Sequence, residues 1–251
     1  MSLEELTRLY DGYVDGFRAA DGELPAMMQL KRTHTAMVVR NAELVADGER
    51  FDAPTREAAL AAALLHDTGR YEQLRRFNTF KDSDSVDHAV LSYDIVREKG
   101  WVKDEAVLLA VLYHNRRELP EGLSSLVLAA SHTVRDADKL DIFRVLEDQV
   151  AHTDWRSDSQ AFWNLAVSAA PNPAVVQAIE AKKPVDYQNI KSLADFVLIQ
   201  VGWMISGLHY ATSRRLCDER GHLEYRRRFL HQLTDDSAVD RLCDLAQSSL
   251  R

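Results

Sequence analysis

The chain has 251 residues, 46% of them apolar and 28% charged. That balance excludes a disordered chain, a collagen-like chain and a small disulfide-stapled module, and the length suffices for a sizeable core. Lys and Arg number 31 against 39 Asp and Glu, a formal net charge of -8. Long nucleic acid and anionic membrane are therefore poor partners, while a small acidic ligand can still find a local basic cluster. Cys217 and Cys243 are too few for a secreted scaffold and lack metal-ligand spacing. The acidic N-terminus does not read as a signal peptide. The most apolar stretch, Leu193 to Tyr210, is interrupted by Asp195, Gln200 and two glycines, so it reads as a buried helix rather than a membrane span. A cytoplasmic protein is expected.

Breakers are scarce, and they fall between runs of helical periodicity, so the chain is expected to be all-α. A first helix fits Leu3 to Phe17. The second runs from about Pro25 to Ala46, with Met27, Leu30, His34 and Val38 on one face. Asp52 caps a third, with Pro54 in its first turn. Its apolar run ends at His66-Asp67, and Gly69 releases the chain. Residues 70–84 read as a loop with at most one helical turn. Asp84 or Ser85 caps a fourth helix bearing His88, Leu91 and Ile95 on one face. Asp104 starts a fifth, in which Val107, Val111 and His114 align. A sixth runs from Ser125 to about Gln149. Its stripe, Leu128, Ser131, Arg135, Asp138, Ile142 and Val145, is apolar at both ends and polar in the middle. Further helices are expected at Gln160–Ala169, Pro173–Ala181, Asn189–Cys217 and Thr234–Leu245. A soft boundary near Asp154 divides a metal-binding helical domain, 1–154, from a helical extension, 155–251, packed on it. Trp155, Phe162, Trp163, Phe196 and Trp203 are expected to form an aromatic cluster in the extension.

His34, His66, Asp67, His88, His114 and Asp138 each lie on a helix face or end beside apolar residues. A single such histidine is usually a satisfied core residue. Six such residues on five successive helices, all able to face one interior, are harder to explain that way. An interior with four imidazoles and two carboxylates needs a compensating charge. Divalent cations supply it, and this donor set suits Fe, Mn, Co, Ni or Zn. His66 and Asp67 can reach one or two ions. With two, Asp67 can bridge them, and a two-metal clamp polarises a phosphoryl group and activates water.

Nine basic residues border these positions: Lys31, Arg32, Arg70, Arg75, Arg76, Lys81, Arg116, Arg117 and Lys139. Arginine forks match phosphate oxygens. Arg32, Arg70, Arg75, Arg76, Lys81, Arg116 and Arg117 are candidate substrate contacts. Lys139, Glu72 and His132 are candidate acid–base or positioning groups, and Asp141, one turn after Asp138, is a candidate for orienting a ligand. Phosphate-binding glycine loops and the G-x-S-x-G and H-E-x-x-H motifs are absent.

His34, then the doublet His66-Asp67, then Asp138 in DADKLD resembles the HD-domain superfamily of metal-dependent phosphohydrolases. The resemblance covers about residues 25–148 and implies an all-α HD-domain helical bundle with additional C-terminal helices. His88 and His114, in VDHAVLSYDIV and VLLAVLYHNRRE, are similar to the added histidines of two-metal members. It implies His66, Asp67, His88 and His114 for one ion and His34 with Asp138 for the other, with Asp67 bridging. HDTGRYEQ resembles small bacterial members, and Glu72 matches a water-positioning Glu of single-metal nucleotidases. The Gly-Tyr-Pro signature of cyclic-di-GMP phosphodiesterases is missing.

The expected function is therefore hydrolysis of a phosphomonoester, phosphodiester or phosphoanhydride in a small, nucleotide-like substrate, with divalent ions (Fe, Mn, Co, Ni, Zn or Mg), two by count, as cofactors. Asp67 is then a catalytic as well as a metal-binding residue. The alternatives are a di-iron oxygenase acting on a polyol or phosphonate and a non-catalytic, metal-stabilised helical module. The aromatic C-terminal region can pack internally or form a homodimer.

Overall fold

The computed structural model describes residues 1–157, 165–167 and 169–251. Helices dominate the described residues, and two compact units, Met1–Asp141 and Ile142–Arg251, divide inside one long helix. That division falls before Asp154, the boundary placed from sequence.

In the first unit, α1 (Leu3–Asp15) opens with a reciprocal cap between Ser2 and Glu5 and buries Leu6, Tyr10 and Val14. The buried seam of α2 (Ala26–Gly48) runs through Met28, Thr35, Val38, Ala42 and Val45, with His34 and Asn41 on its flank. Met27 and Leu30, expected beside His34, are exposed. The buried face keeps His34 and Val38 and takes Met28 in place of Met27 and Leu30.

The helix α3 (Ala53–Leu65) is capped by the Asp52 carboxylate, which accepts from the Thr55 amide at 3.0 Å. It buries Ala58, Ala59, Leu60, Ala62, Ala63, Leu64 and Leu65, and its small side chains let α1, α2 and the later α6 approach on several sides. After His66, Asp67 and Thr68 the chain turns into α4 (Gly69–Phe77). This helix occupies much of the segment expected as a loop. Its buried face is Gly69, Tyr71, Glu72 and Gln73, so a hydrophobic period had little to register. Asn78 ends it in the left-handed conformation, φ 52°.

A 3₁₀ turn (Asp82–Asp84) leads to α5 (His88–Glu98), capped by Asp87 rather than by Asp84 or Ser85. Asp104 caps α6 (Glu105–Tyr113) as expected, and α7 runs from Ser125 to His152. Gly69 lies where α4 packs against α5. A Cβ there would lie 2.7 Å from the His88 carbonyl oxygen and the Ser92 nitrogen.

The second unit contains the end of α7 with α8 (Pro173–Glu180), α9 (Leu193–Gly202), α10 (Ala211–Glu219), α11 (His222–Leu233) and α12 (Ala238–Leu250). The expected continuous helix Asn189–Cys217 is broken by a π turn at Trp203–Gly207 and extended backbone at Leu208. Asp195 forms the capping box of α9 with Ser192. The helix α11 was not expected, and α12 starts four residues after Thr234. The expected helix Gln160–Ala169 falls largely outside the described residues, as do Phe162 and Trp163. Trp155 packs on Phe229 with ring centroids 5.0 Å apart, and Trp203 lies 6.2 Å from Phe143.

This unit buries Arg226 completely. Its guanidinium donates to Glu147, Gln200 and the Phe143 and His222 carbonyls, which satisfies the charge inside the core. Among the described residues no helix is long and apolar enough to cross a membrane.

Candidate metal centre

Asp67 stands at the middle of the site, at the turn between α3 and α4. His34 Nε2 and His66 Nε2 lie 3.7 and 3.6 Å from its Oδ2. His88 Nε2 and His114 Nε2 lie 3.6 and 3.8 Å from its Oδ1. The Oδ1 of Asp138 is 3.1 Å from His34 Nε2 and 3.9 Å from His66 Nε2. All six side chains named from the sequence thus meet at one place.

The outward ring nitrogens explain how the histidines are oriented. His66 Nδ1 bonds the Ala63 carbonyl at 2.8 Å, and His114 Nδ1 bonds the Val111 carbonyl at 2.7 Å. Each is a contact three residues back along its own helix end. His34 Nδ1 bonds Asp141 Oδ2 and His88 Nδ1 bonds Asp82 Oδ2, both at 2.6 Å. A carbonyl or carboxylate oxygen can only accept, so each Nδ1 carries the proton. In a neutral ring the Nε2 lone pair then faces inward.

The inward atoms are left without proton donors. His34 Nε2 and His66 Nε2 are buried with no hydrogen-bond partner. His88 Nε2 and His114 Nε2 face each other at 3.0 Å, so two lone pairs are opposed. Inward lone pairs around a carboxylate are what a divalent cation requires. Two donors bound to one ion at about 2.1 Å stand at most about 4.2 Å apart. The six separations among Asp67, Asp138 and the histidines lie within that span. The donor atoms of His34, His66 and Asp138, and those of His66, Asp67 and His114, form compact groups within 4.8 Å. The residues fit the metal.

Burial and neighbouring charge bear on the ionisation of these groups. Burial pushes the His66 and His88 imidazoles down, and it pushes His114 well down with help from His88 and His66. In His34 burial and Lys31 act the same way, but the nearby Asp138 and Asp141 carboxylates outweigh them and raise it. Asp67 stays ionised despite burial because Lys31, His66 and Arg70 surround it. Burial opposes ionisation of Asp82, yet His88 and Arg70 bring its carboxyl down to about 2.

Two cations reach Asp67. Lys31 Nζ is 2.7 Å from Oδ2, and Arg70 Nε is 3.4 Å from Oδ1. Both also lie over the Phe80 ring, at 5.5 and 5.7 Å from its centroid. Other candidate basic residues are held elsewhere. Arg32 pairs with Asp11 and Asp15, Lys81 with Asp84, and Arg116 with Asp87 at the start of α5. Arg75 and Arg76 both clamp Glu72, so three candidate site residues form a separate ion cluster. The Arg117 carbonyl accepts from Arg135. Lys139 donates along its own helix to the Arg135 carbonyl, and burial brings its amine down to about 8. His132 is half-buried on α7, two turns before Asp138, and belongs to neither compact donor group.

Lys31 was counted among the bordering basic residues but not among the candidate substrate contacts, and Asp82 lay outside the sequence-derived list. Lys31 carried a helical signal, one turn before His34 on the same side of α2. Asp82 carried none, because a carboxylate in an irregular turn has no period. Asp141 was noted for its spacing from Asp138, and its partner is His34.

The family model described as HD domain matches residues 32–143. Over these residues the chain is similar to the HD domain. The match is consistent with the HD-domain superfamily of metal-dependent phosphohydrolases, and the all-helical architecture agrees with it. No curated protein and no solved structure matched the chain. The match begins at Arg32, two residues before His34, and ends at Phe143, just beyond Asp141. It therefore spans the whole imidazole–carboxylate site.

Proposed function

We propose that the chain is a metal-dependent phosphohydrolase acting on a small, nucleotide-like phosphate ester or anhydride. The observation that carries this reading is the set of four inward Nε2 atoms around Asp67, two of them opposed at 3.0 Å. In this reading His34, His66, Asp67 and Asp138 would hold one divalent ion and Asp67, His88 and His114 the other; His66 leaves the set that the resemblance implied because its Nε2 faces Asp67 Oδ2 beside His34. Bound there, such ions polarise a phosphoryl oxygen and lower the pKa of water.

The chain's own residues supply the rest. The Asp67 carboxylate, kept ionised by Lys31 and Arg70, presents one oxygen to each pair of histidines. Arg70 and Lys31 are the cations best placed to hold a phosphate beside it, and Phe80 restricts both. Glu72 is committed to Arg75 and Arg76, and no proton transfer is assigned to it.

The test is phosphate release from a panel of nucleotides and sugar phosphates by protein purified without chelator. The expected result is metal-dependent turnover, abolished by His66→Ala, with Arg70→Gln raising KM more than it lowers kcat. Oxygen consumption on a polyol or phosphonate, with no phosphate released, would instead establish the oxygenase reading, which uses the same donors. Tightly bound metal without turnover in either assay would support a structural module.

A further inference from the structure

The four histidines are not held alike, and the difference falls symmetrically across Asp67. In each half, one ring is backed by a backbone carbonyl and the other by a carboxylate. His66 with Ala63 O and His34 with Asp141 serve the Oδ2 side. His114 with Val111 O and His88 with Asp82 serve the Oδ1 side. The two backing carboxylates have different settings. Asp141 is almost fully buried on the long helix α7. Asp82 is 33% exposed on the 3₁₀ turn between α4 and α5.

That turn is fastened by side chains rather than by a helix. Arg70 donates to the Phe80 carbonyl at 2.5 Å and to Asp82 Oδ1 at 3.0 Å. Gln73 donates to Asp82 Oδ1, Ser85 Oγ and the Val86 carbonyl at 2.9 to 3.1 Å. Within it, Arg70 and Gln73 hold the Asp82 carboxylate directly, independently of α5, which has its own cap in Asp87. A carboxylate behind a ligating histidine fixes the ring and strengthens its inward lone pair, and losing it typically weakens metal binding about 10–100-fold.

We propose that Asp82 is a positioning residue that controls occupancy of the His88/His114 half. That half is exchangeable, whereas the His34/His66 half, backed by buried Asp141, retains its ion. The inference rests on the two-ion reading above.

The experiment is Mn²⁺ titration of the full chain, with bound metal counted by elemental analysis after dialysis and coupling between ions read by electron paramagnetic resonance. The wild type is expected to hold two ions per chain, the second more weakly, with an exchange-coupled signal. Asp82→Asn is expected to bind the second ion about 10–100-fold more weakly and to show an isolated-ion signal. Asp82→Glu restores coupling in part, and it stands in if Asp82→Asn fails to fold by circular dichroism. Ser85→Ala removes turn bonds while leaving the Asp82–His88 bond, and it keeps both ions. Two ions at wild-type affinity in Asp82→Asn overturn the inference. So does equal loss in Asp82→Asn and Ser85→Ala, since turn integrity alone would then explain the effect. One ion in the wild type overturns the inference while leaving metal binding intact, and none overturns the metal reading with it.

Discussion

Gly69→Ala probes how the close approach of α4 and α5 builds the site. The added Cβ would sit 2.7 Å from both the His88 carbonyl oxygen and the Ser92 nitrogen. These are backbone atoms, so no side chain can swing aside. Reaching the 3.4 Å of ordinary contact requires the helices to part by roughly 0.7 Å. The same movement strains the bond from the Gly69 amide to Ser92 Oγ, now 2.8 Å. Overpacking of this kind costs about 1–3 kcal/mol. At about 2–4 °C per kcal/mol for a chain of this size, a cost of about 2 kcal/mol lowers Tm by about 4–8 °C. His88 is the first residue of α5 and moves with it, by more than the roughly 0.2 Å tolerance of a metal site. Metal content measured beside a calorimetric scan should therefore fall as well. Gly12→Ala is the control: it lies within α1 with nothing near its Cβ, and should stabilise by about 0.5–1 kcal/mol. A Gly69→Ala protein with wild-type Tm and metal content would refute the account of this contact.

Three further outcomes follow from the same geometry. Arg226→Met leaves Glu147 facing a core that has lost its guanidinium, and should cost about 3–5 kcal/mol in chemical denaturation, with Glu147→Gln recovering part in the double variant. In Glu147 itself, burial raises the carboxyl but His222 and Arg226 outweigh it, so its folded pKa lies below the ordinary 4.5. The stability it contributes is present above pH 4.5 and lost as pH falls through the folded value. Glu147→Gln should accordingly flatten the acid limb of a Tm-against-pH curve, and an unchanged limb would exclude this residue as its cause. Removing metal with a chelator should lower Tm, and readdition at about 100 times Kd should restore about 2.7 kcal/mol per site; a midpoint indifferent to metal would argue against binding to the folded site.

Much of the first unit is legible in local chemistry. The caps at Asp52 and Asp104, the apolar run before His66, and the positions of His34, His88, His114 and Asp138 on or beside helices all depend on neighbours within a turn or two. The polar helix α4 was not legible, because its buried face is Gly69, Tyr71, Glu72 and Gln73, with a single apolar side chain among them. Basic residues counted along the sequence also proved a poor guide to the site. Arg75 and Arg76 turn to Glu72, while Lys31 reaches Asp67 across 36 positions. The role of Asp82 behind His88 likewise exists only once α4, the 3₁₀ turn and α5 are folded together. Periodicity and capping are local and so are written in the sequence. Which charge faces which, and which nitrogen of His34 and His88 keeps its proton, depends on side chains brought together by packing, and tertiary structure decided both.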